Sequence, residues 1–253
     1  MNNDPKVLVA VPTLNRPHYL PRILACFKRQ EYNNKQLIII NDDKNIKYKL
    51  EEEDADITIL NVDKLLNLSV KRNFFACFNF DIIMYLDDDD LYTPMRIANH
   101  AKIYKNNPYI EAVVGTTQYV LYDSVLAHEE KQHPMNFSCT RDTFFKIKGF
   151  EKFDTVNAED IGFRDKLLRL LKVHLDTKNT DWLYWWCNSS YHATYMEDPI
   201  FSDPTSSEKK EIELSVGYKQ YDHIAGLIKK VKKDQPGIKM ELKEAGTNIY
   251  IKK

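Results

Sequence analysis

The period of apolar positions changes several times along the chain, and each change predicts an element. Residues 7–11 are a continuous aliphatic run that stops at Pro12-Thr13, the pattern of a strand covered on both faces and so central in a parallel sheet. After Asn15-Arg16-Pro17, with Asn15 as a candidate helix cap, apolar side chains return at Leu20, Ile23, Leu24 and Phe27. That spacing of i, i+3, i+4 and i+7 lays one face of a helix on a sheet. Residues 37–40 read as a second buried strand ending in Asn41-Asp42-Asp43, and 57–60 as a weaker third. Ser69 is a candidate N-cap for a helix carrying Val70, Phe74, Cys77 and Phe78, and 81–86 is the fourth strand. This alternation predicts an α/β fold, a mostly parallel central sheet flanked by helices.

Later segments are less regular. Ala112–Gly115 and Gln118–Tyr122 are expected to pair as a hairpin, and Phe163, Leu167, Leu170 and Leu171 mark a helix starting near Asp160. From Thr205 the chain becomes polar, with 11 lysines against 7 acidic residues, and reads as one helix and a closing pair of strands at 239–242 and 248–251. We expect this to be an appendage, 205–253, on a domain spanning 1–204.

Composition narrows the class. With 253 residues, 43% hydrophobic, 29% charged and 12% aromatic, the chain suits one large α/β domain or a medium domain with an appendage, and not a disordered, collagenous or membrane-spanning protein. A net charge of -1 argues against nucleic-acid binding by the protein as a whole. Cys26, Cys77, Cys139 and Cys187 lack CxxC or metal-ligand spacing and read as reduced core thiols. The first residues carry no basic segment followed by an apolar one, and no apolar run approaches a membrane span, so a cytoplasmic protein without integral membrane contact is expected. Glycine is scarce, and neither GxGxxG nor GxxxxGK[ST] occurs, which excludes the usual dinucleotide and P-loop sites.

In parallel sheets ligands gather at the carboxyl ends of strands, and the polar clusters fall there. Thr13-Leu14-Asn15-Arg16 follows the first strand, Asn41-Asp42-Asp43 the second and Asp87-Asp88-Asp89-Asp90 the fourth. Four adjacent carboxylates repel one another unless a cation neutralises them, and hard oxygen ligands select Mg²⁺, Mn²⁺ or Ca²⁺. A solvated acidic turn is the alternative. A DxDx[TV] phosphatase does not fit, because the residue two beyond the second aspartate is Leu91 in one register and Tyr92 in the other.

The ordered blocks Val11-Pro12-Thr13-Leu14-Asn15-Arg16, Ile40-Asn41-Asp42-Asp43, Lys71-Arg72-Asn73, Leu86-Asp87-Asp88-Asp89-Asp90 with Pro94, and Glu159-Asp160 resemble the family 2 glycosyltransferases of the GT-A fold. The likeness covers about residues 6–195. It implies a nucleotide-binding half at about 1–92, an acceptor-binding half at 93–204, and a nucleotide-diphosphate sugar as donor, most often UDP-linked. Pro12, Thr13 and Arg16 would line its base and ribose end, Asp42 or Asp43 would face the base, and Arg72 matches the basic residue of the family's A-R-N block. Asp87 and Asp89 match the D-x-D motif that holds Mn²⁺ or Mg²⁺ between the phosphates, with Asp88 able to take the ribose role because a run of four blurs the register. His192 stands where several such enzymes place a third metal ligand. Asp160 matches the general base, with Lys148-Gly149-Phe150 upstream as in the family's G-G-F block.

The implied reaction is metal-dependent, inverting sugar transfer to an acceptor hydroxyl on a polysaccharide, a protein or a modified DNA base. A nucleotidyltransferase making an activated sugar is a rival, though it would need a glycine-rich loop after the first strand; a non-catalytic module that keeps the fold is another. Lys44-Asn45 replaces the family's Gly-Ser, and Ser69 stands where a glycine is expected, so both loops should follow a different backbone path. The three tryptophans of 182–186 are expected to place at least one ring toward the acceptor cleft.

Overall fold

The computed structural model of the chain describes residues 4–63, 66–122, 125–130, 133–151, 159–170 and 172–185. His192, Cys187 and the appendage 205–253 lie outside these residues.

The central sheet is built from seven strands. Four at one side are parallel: β1 (Val7–Thr13), β2 (Lys35–Asn41), β3 (Ile57–Asn61) and β4 (Ile82–Tyr85). They stand in the order β4-β1-β2-β3. Every residue of β1 and β4 is buried, as their unbroken aliphatic runs predict for strands covered on both faces. Beyond β4 lie β9 (Phe137–Thr140), antiparallel, then β6 (Ala112–Gly115) and β10 (Val173–Asp176). Since β9 opposes both β4 and β6, the carboxyl ends of β6, β10, β4, β1 and β2 share one edge.

A second sheet, in the order β5-β11-β7-β8, joins β5 (Leu91–Tyr92), β7 (Gln118–Tyr122), β8 (Val125–Glu129) and β11 (Trp182–Trp185). Here the structure corrects an expectation. Ala112–Gly115 and Gln118–Tyr122 do not form a hairpin; after Gly115 the chain leaves the central sheet, and β7 pairs antiparallel with β8 instead. At the end of β6, Gly115 makes room for the Asn136 side chain, from which a Cβ would lie only 2.3 Å.

Five α-helices and two short 3₁₀ helices, Pro17–Tyr19 and Phe75–Cys77, complete the described fold. Helix α1 (Leu20–Lys28) buries Ile23, Cys26 and Phe27, and α2 (Leu68–Phe74) is capped by Asn67, not Ser69. The Asn67 side chain accepts from the Ser69 amide, so Ser69 lies inside the first turn. Asn15 likewise caps nothing; it sits at φ 52, in the left-handed turn that leaves β1. Helix α3 (Arg96–Asn106) follows Pro94, α4 (Arg141–Lys146) is capped by Thr140, and α5 is Glu159–Leu170.

Phe163 and Leu167 form the inward stripe of α5. Phe163 stacks on Phe150 at 4.0 Å and on Phe137 at 5.0 Å between ring centres, and Phe150 meets Tyr85 edge-on at 5.2 Å. This aromatic clamp fixes the helix's first turn. Cys26, Cys77 and Cys139 are buried and unpaired, as core thiols.

Candidate active site

Register alone brings two of the polar clusters together. Ala10 pairs with Tyr85, so three residues further along each strand Thr13 faces Asp88. The Thr13 hydroxyl donates to Asp88 Oδ2 at 2.6 Å. Arg16 Nη1 donates to Asp88 Oδ1 at 2.7 Å and Asp89 Oδ2 at 3.0 Å, and Arg22 Nη1 donates to the Asp89 carbonyl at 2.8 Å. The Arg16 amide is held by Tyr48 Oη at 2.9 Å. Two anions beside the Arg16 guanidinium outweigh its burial and hold its pKa above the usual arginine value.

At the end of β2 the paired aspartates differ. Asp42 is buried; its Oδ2 accepts from the Leu66 amide at 2.8 Å and its Oδ1 pairs with Lys71. Lys71 Nζ also donates to the Thr13 carbonyl at 3.1 Å. Burial lowers the Lys71 pKa and the Asp42 carboxylate opposes that shift. Asp43 shapes the Lys44-Asn45 turn, its Oδ1 accepting from the amides of Asn45 at 2.7 Å and Ile46 at 3.2 Å. Pro12 lies inside β1 beside Ile40.

The third cluster joins α2, the Asp87 loop and α5. Glu159 stands one turn before Phe163, so the stripe that packs α5 also turns Glu159 inward, where it accepts from Arg72 Nη1 at 2.8 Å. Arg72 Nη2 lies 3.8 Å from Asp87 Oδ1, its guanidinium sits over the Phe150 ring at 5.3 Å, and its Nε has no hydrogen-bond partner among the described residues. Asp160 is the next residue on α5, rotated off the buried stripe and partly exposed, with Oδ1 accepting from the Ile161 amide at 2.6 Å. The Asp87 side chain is 25% exposed but recessed. Burial raises its pKa to about 7; Arg72 opposes the rise, and Asp89, Asp160 and Asp88 add to it. Tyr92 Oη fixes the loop, accepting from the Asp87 amide at 2.6 Å and donating to the Asp87 carbonyl at 3.1 Å.

Two neighbouring residues brace this junction. Asn73 Nδ2 donates to the Phe150 carbonyl and its Oδ1 accepts from the Phe150 amide, both at 2.8 Å. Gly149 at φ +63 makes room for it, since a Cβ would sit 2.4 Å from Asn73 Oδ1. Trp182 is fully buried, 4.9 Å from the Tyr92 ring and 4.6 Å from the Arg96 guanidinium, so that tryptophan is core. The side chains of 185 and 186 lie outside the described residues.

Among the described residues no three His, Cys, Asp or Glu side chains group as a metal cage. A divalent Mg²⁺-like ion does not require one, because it is commonly held by one or two carboxylates together with substrate phosphates. Asp87 and Asp89 fit that role: Asp89 gives one oxygen to Arg16, and Asp87 meets Arg72 only at 3.8 Å. Asp88 is more committed within the protein, each of its oxygens accepting a bond, from Thr13 and from Arg16.

The sequence model of Glycosyl transferase family 2 matches residues 8–168. The chain belongs to this family. Over 126 residues this family member is 27% identical to the putative colanic acid biosynthesis glycosyl transferase WcaA of Escherichia coli (strain K12). The match covers 42% of this chain and 44% of that one, so the chain spans less than half the length of the curated relative. S. aureus TarS 1–349 in complex with UDP-GlcNAc superposes with a TM-score of 0.57 at 11% identity, over 90% of this chain and 73% of that one. For TarS 1–349 in its own crystal structure the shares are 71% and 60%, again with TM-score 0.57 and 11% identity. The mannosyltransferase PcManGT of Pyrobaculum calidifontis, in complex with GDP-Man and Mn²⁺, gives a TM-score of 0.56 at 14% identity, over 91% and 76%. Likeness at these identities is one of fold, and the fold is GT-A.

Tyr48, Lys71 and Arg22 were not singled out by sequence reasoning. Lys71 stood inside a matched block, and its departure from the block's alanine was the available signal. Tyr48 gave none, because its loop has no periodicity. Among the described residues no helix is long and apolar enough to cross a membrane.

Proposed function

We propose that this family 2 member moves a sugar from a nucleotide-diphosphate sugar, UDP-linked in the first instance, to an acceptor hydroxyl with inversion at the anomeric carbon. The observation that carries the reading is the meeting of Arg16, Arg72, Asp87, Asp89 and Asp160 along one sheet edge, where a parallel sheet binds ligands. Pro12, Thr13, Arg16 and Asp43 would line the base and ribose, with Asp88 holding Thr13 and Arg16 in place. Arg72 would face the diphosphate, a planar cation suited to phosphate oxygens. Asp87 and Asp89 would hold Mn²⁺ or Mg²⁺, which supplies Lewis-acid neutralisation of the departing diphosphate. His192 is retained as a candidate further ligand.

An acceptor hydroxyl is too weak a nucleophile at neutral pH, so a carboxylate must take its proton as the bond forms. In this scheme Asp160 accepts that proton, the acceptor oxygen bonds to the anomeric carbon, and the bond from that carbon to the phosphate oxygen breaks with its electron pair on the diphosphate. Glu159 is held by Arg72, which leaves Asp160 as the carboxylate of that turn for this step. With Asp160 as the base and, among the described residues, the other site carboxylates assigned to the metal or to Arg72 and Arg16, the reaction would be a single displacement. The acceptor would be a hydroxyl on a glycan, a protein or a modified DNA base.

A thermal-shift screen of UDP, GDP, CDP and their sugars with and without Mn²⁺, followed by donor hydrolysis, tests the reading. Metal-dependent stabilisation by a nucleotide, with release of nucleoside diphosphate from its sugar, is expected. Absence of any nucleotide-induced shift would overturn it, and binding without turnover of any donor would point to a non-catalytic module.

A further inference from the structure

The geometry points to Lys71 as a positioning residue of the donor site, with Asp42 as its counter-ion and not a reader of the nucleotide base. The inference rests on the donor reading above and narrows the expectation that Asp42 or Asp43 faces the base to Asp43. The Asp42 side chain has 0% of its surface accessible. Its two oxygens are taken by the Lys71 ammonium and the Leu66 amide. With a partner on each oxygen and none of its surface accessible, the carboxylate is closed off from a ligand in the nucleotide site.

Lys71 uses its donors to join strand ends. From α2 its ammonium reaches Asp42 at the end of β2 and the Thr13 carbonyl at the end of β1. Thr13 in turn donates to Asp88, which holds Arg16, so β4's aspartate loop is tied into the same network. A lysine presents three donors around a compact charge, which suits two acceptors on different strands. The family block resembled here carries alanine at this place, and alanine would leave Asp42 without its cation.

The consequence is specific: base preference does not pass through Asp42, while the fit of every nucleotide passes through Lys71. The test compares the wild type with Asp42→Asn, Lys71→Met and the double variant Asp42→Asn/Lys71→Met. It reads melting temperature, calorimetric affinities for UDP, GDP and CDP with Mn²⁺, and donor and acceptor KM and kcat. Asp42→Asn is expected to weaken the nucleotides alike, leaving their affinity ratios within about twofold of wild type. The double variant carries no unpaired buried charge, so it is expected to fold even where Lys71→Met alone does not. Its donor KM is expected to rise about tenfold with kcat within about threefold and acceptor KM unchanged.

A change of about tenfold in the UDP-to-GDP ratio on Asp42→Asn would show that Asp42 reads the base. A folded double variant with donor KM within about twofold of wild type would reduce Lys71 to a structural role. A double variant that does not fold would likewise assign Lys71 to stability alone. A wild type that binds no nucleotide would overturn the donor reading and this assignment together, which separates that failure from the others.

Discussion

Arg72→Met tests how charge is balanced where α2, the aspartate loop and α5 meet. Arg72 and Glu159 leave 5% and 9% of their side chains accessible and bond at 2.8 Å. Removing one partner of a buried pair strands the other, at a cost of about 3–5 kcal/mol. For a chain of this size that is a fall in melting temperature of about 10 °C. Adding Glu159→Gln leaves a neutral amide in place of the stranded charge and should recover about 2 kcal/mol.

The pH dependence supplies a second readout. The Asp87 carboxyl titrates at about 7 in the folded chain against an ordinary value of 3.8, raised mainly by burial and opposed first by Arg72. Because the folded value is the higher, the folded state holds a proton that the unfolded state has lost between these values. The contribution of Asp87 to stability is present below pH 3.8 and falls as pH climbs toward 7. Metal binding needs the ionised form, so Mn²⁺-dependent stabilisation should grow as pH rises through 7. Without Arg72 the folded value rises further, and that growth should move to higher pH. Thermal melts of both proteins with and without Mn²⁺, from about pH 4 to about 8, measure both effects. A variant within about 1 kcal/mol of wild type, with its Mn²⁺ effect centred at the same pH, would refute the reasoning.

Three further outcomes are expected. Asp89→Asn should abolish the extra stabilisation that Mn²⁺ gives in the presence of nucleotide while leaving the metal-free melt nearly unchanged; a persistent Mn²⁺ shift in differential scanning fluorimetry would remove Asp89 from the metal site. Asp160→Asn should bind donor as wild type does and lose transfer by about 10²–10⁴-fold, the range for a lost general base, whereas unchanged transfer would assign the base elsewhere. Gly149→Ala forces a Cβ to 2.4 Å from Asn73 Oδ1 at a φ of +63 and should cost about 2–4 kcal/mol through left-handed strain and the two displaced Asn73 bonds; urea unfolding with a loss under about 1 kcal/mol would contradict that.

Strands β1, β2 and β4 were legible because burial on both faces writes an unbroken aliphatic run, and α1 because its apolar spacing has one period. Where the chain leaves the central sheet, local pattern failed. β6 and β7 are short, adjacent and apolar, and their membership of different sheets is decided by distant pairing partners, β9 and β10 for one and β8 and β11 for the other. β9 escaped notice altogether, since Phe137-Ser138-Cys139-Thr140 looks like no more than a stretch before a helix. In the candidate site the aspartate run, Arg16 and Arg72 announced themselves by charge beside apolar strands. Their partners did not, because Thr13 with Asp88 and Arg72 with Glu159 are separated by 75 and 87 residues and meet only through register and the packing of Phe163.

The reversed strand between β4 and β6 separates two jobs along one edge. Because β9 runs the other way, its amino end arrives beside the carboxyl ends of β4 and β6, and the β7–β8 ribbon precedes that arrival. Insertions or deletions in this excursion alter the rim without shifting the strands that carry Thr13, Asp42 and Asp87. If the proposed donor site is right, descendants of such a chain would diverge in the acceptor they decorate while inheriting an unchanged grip on the activated donor.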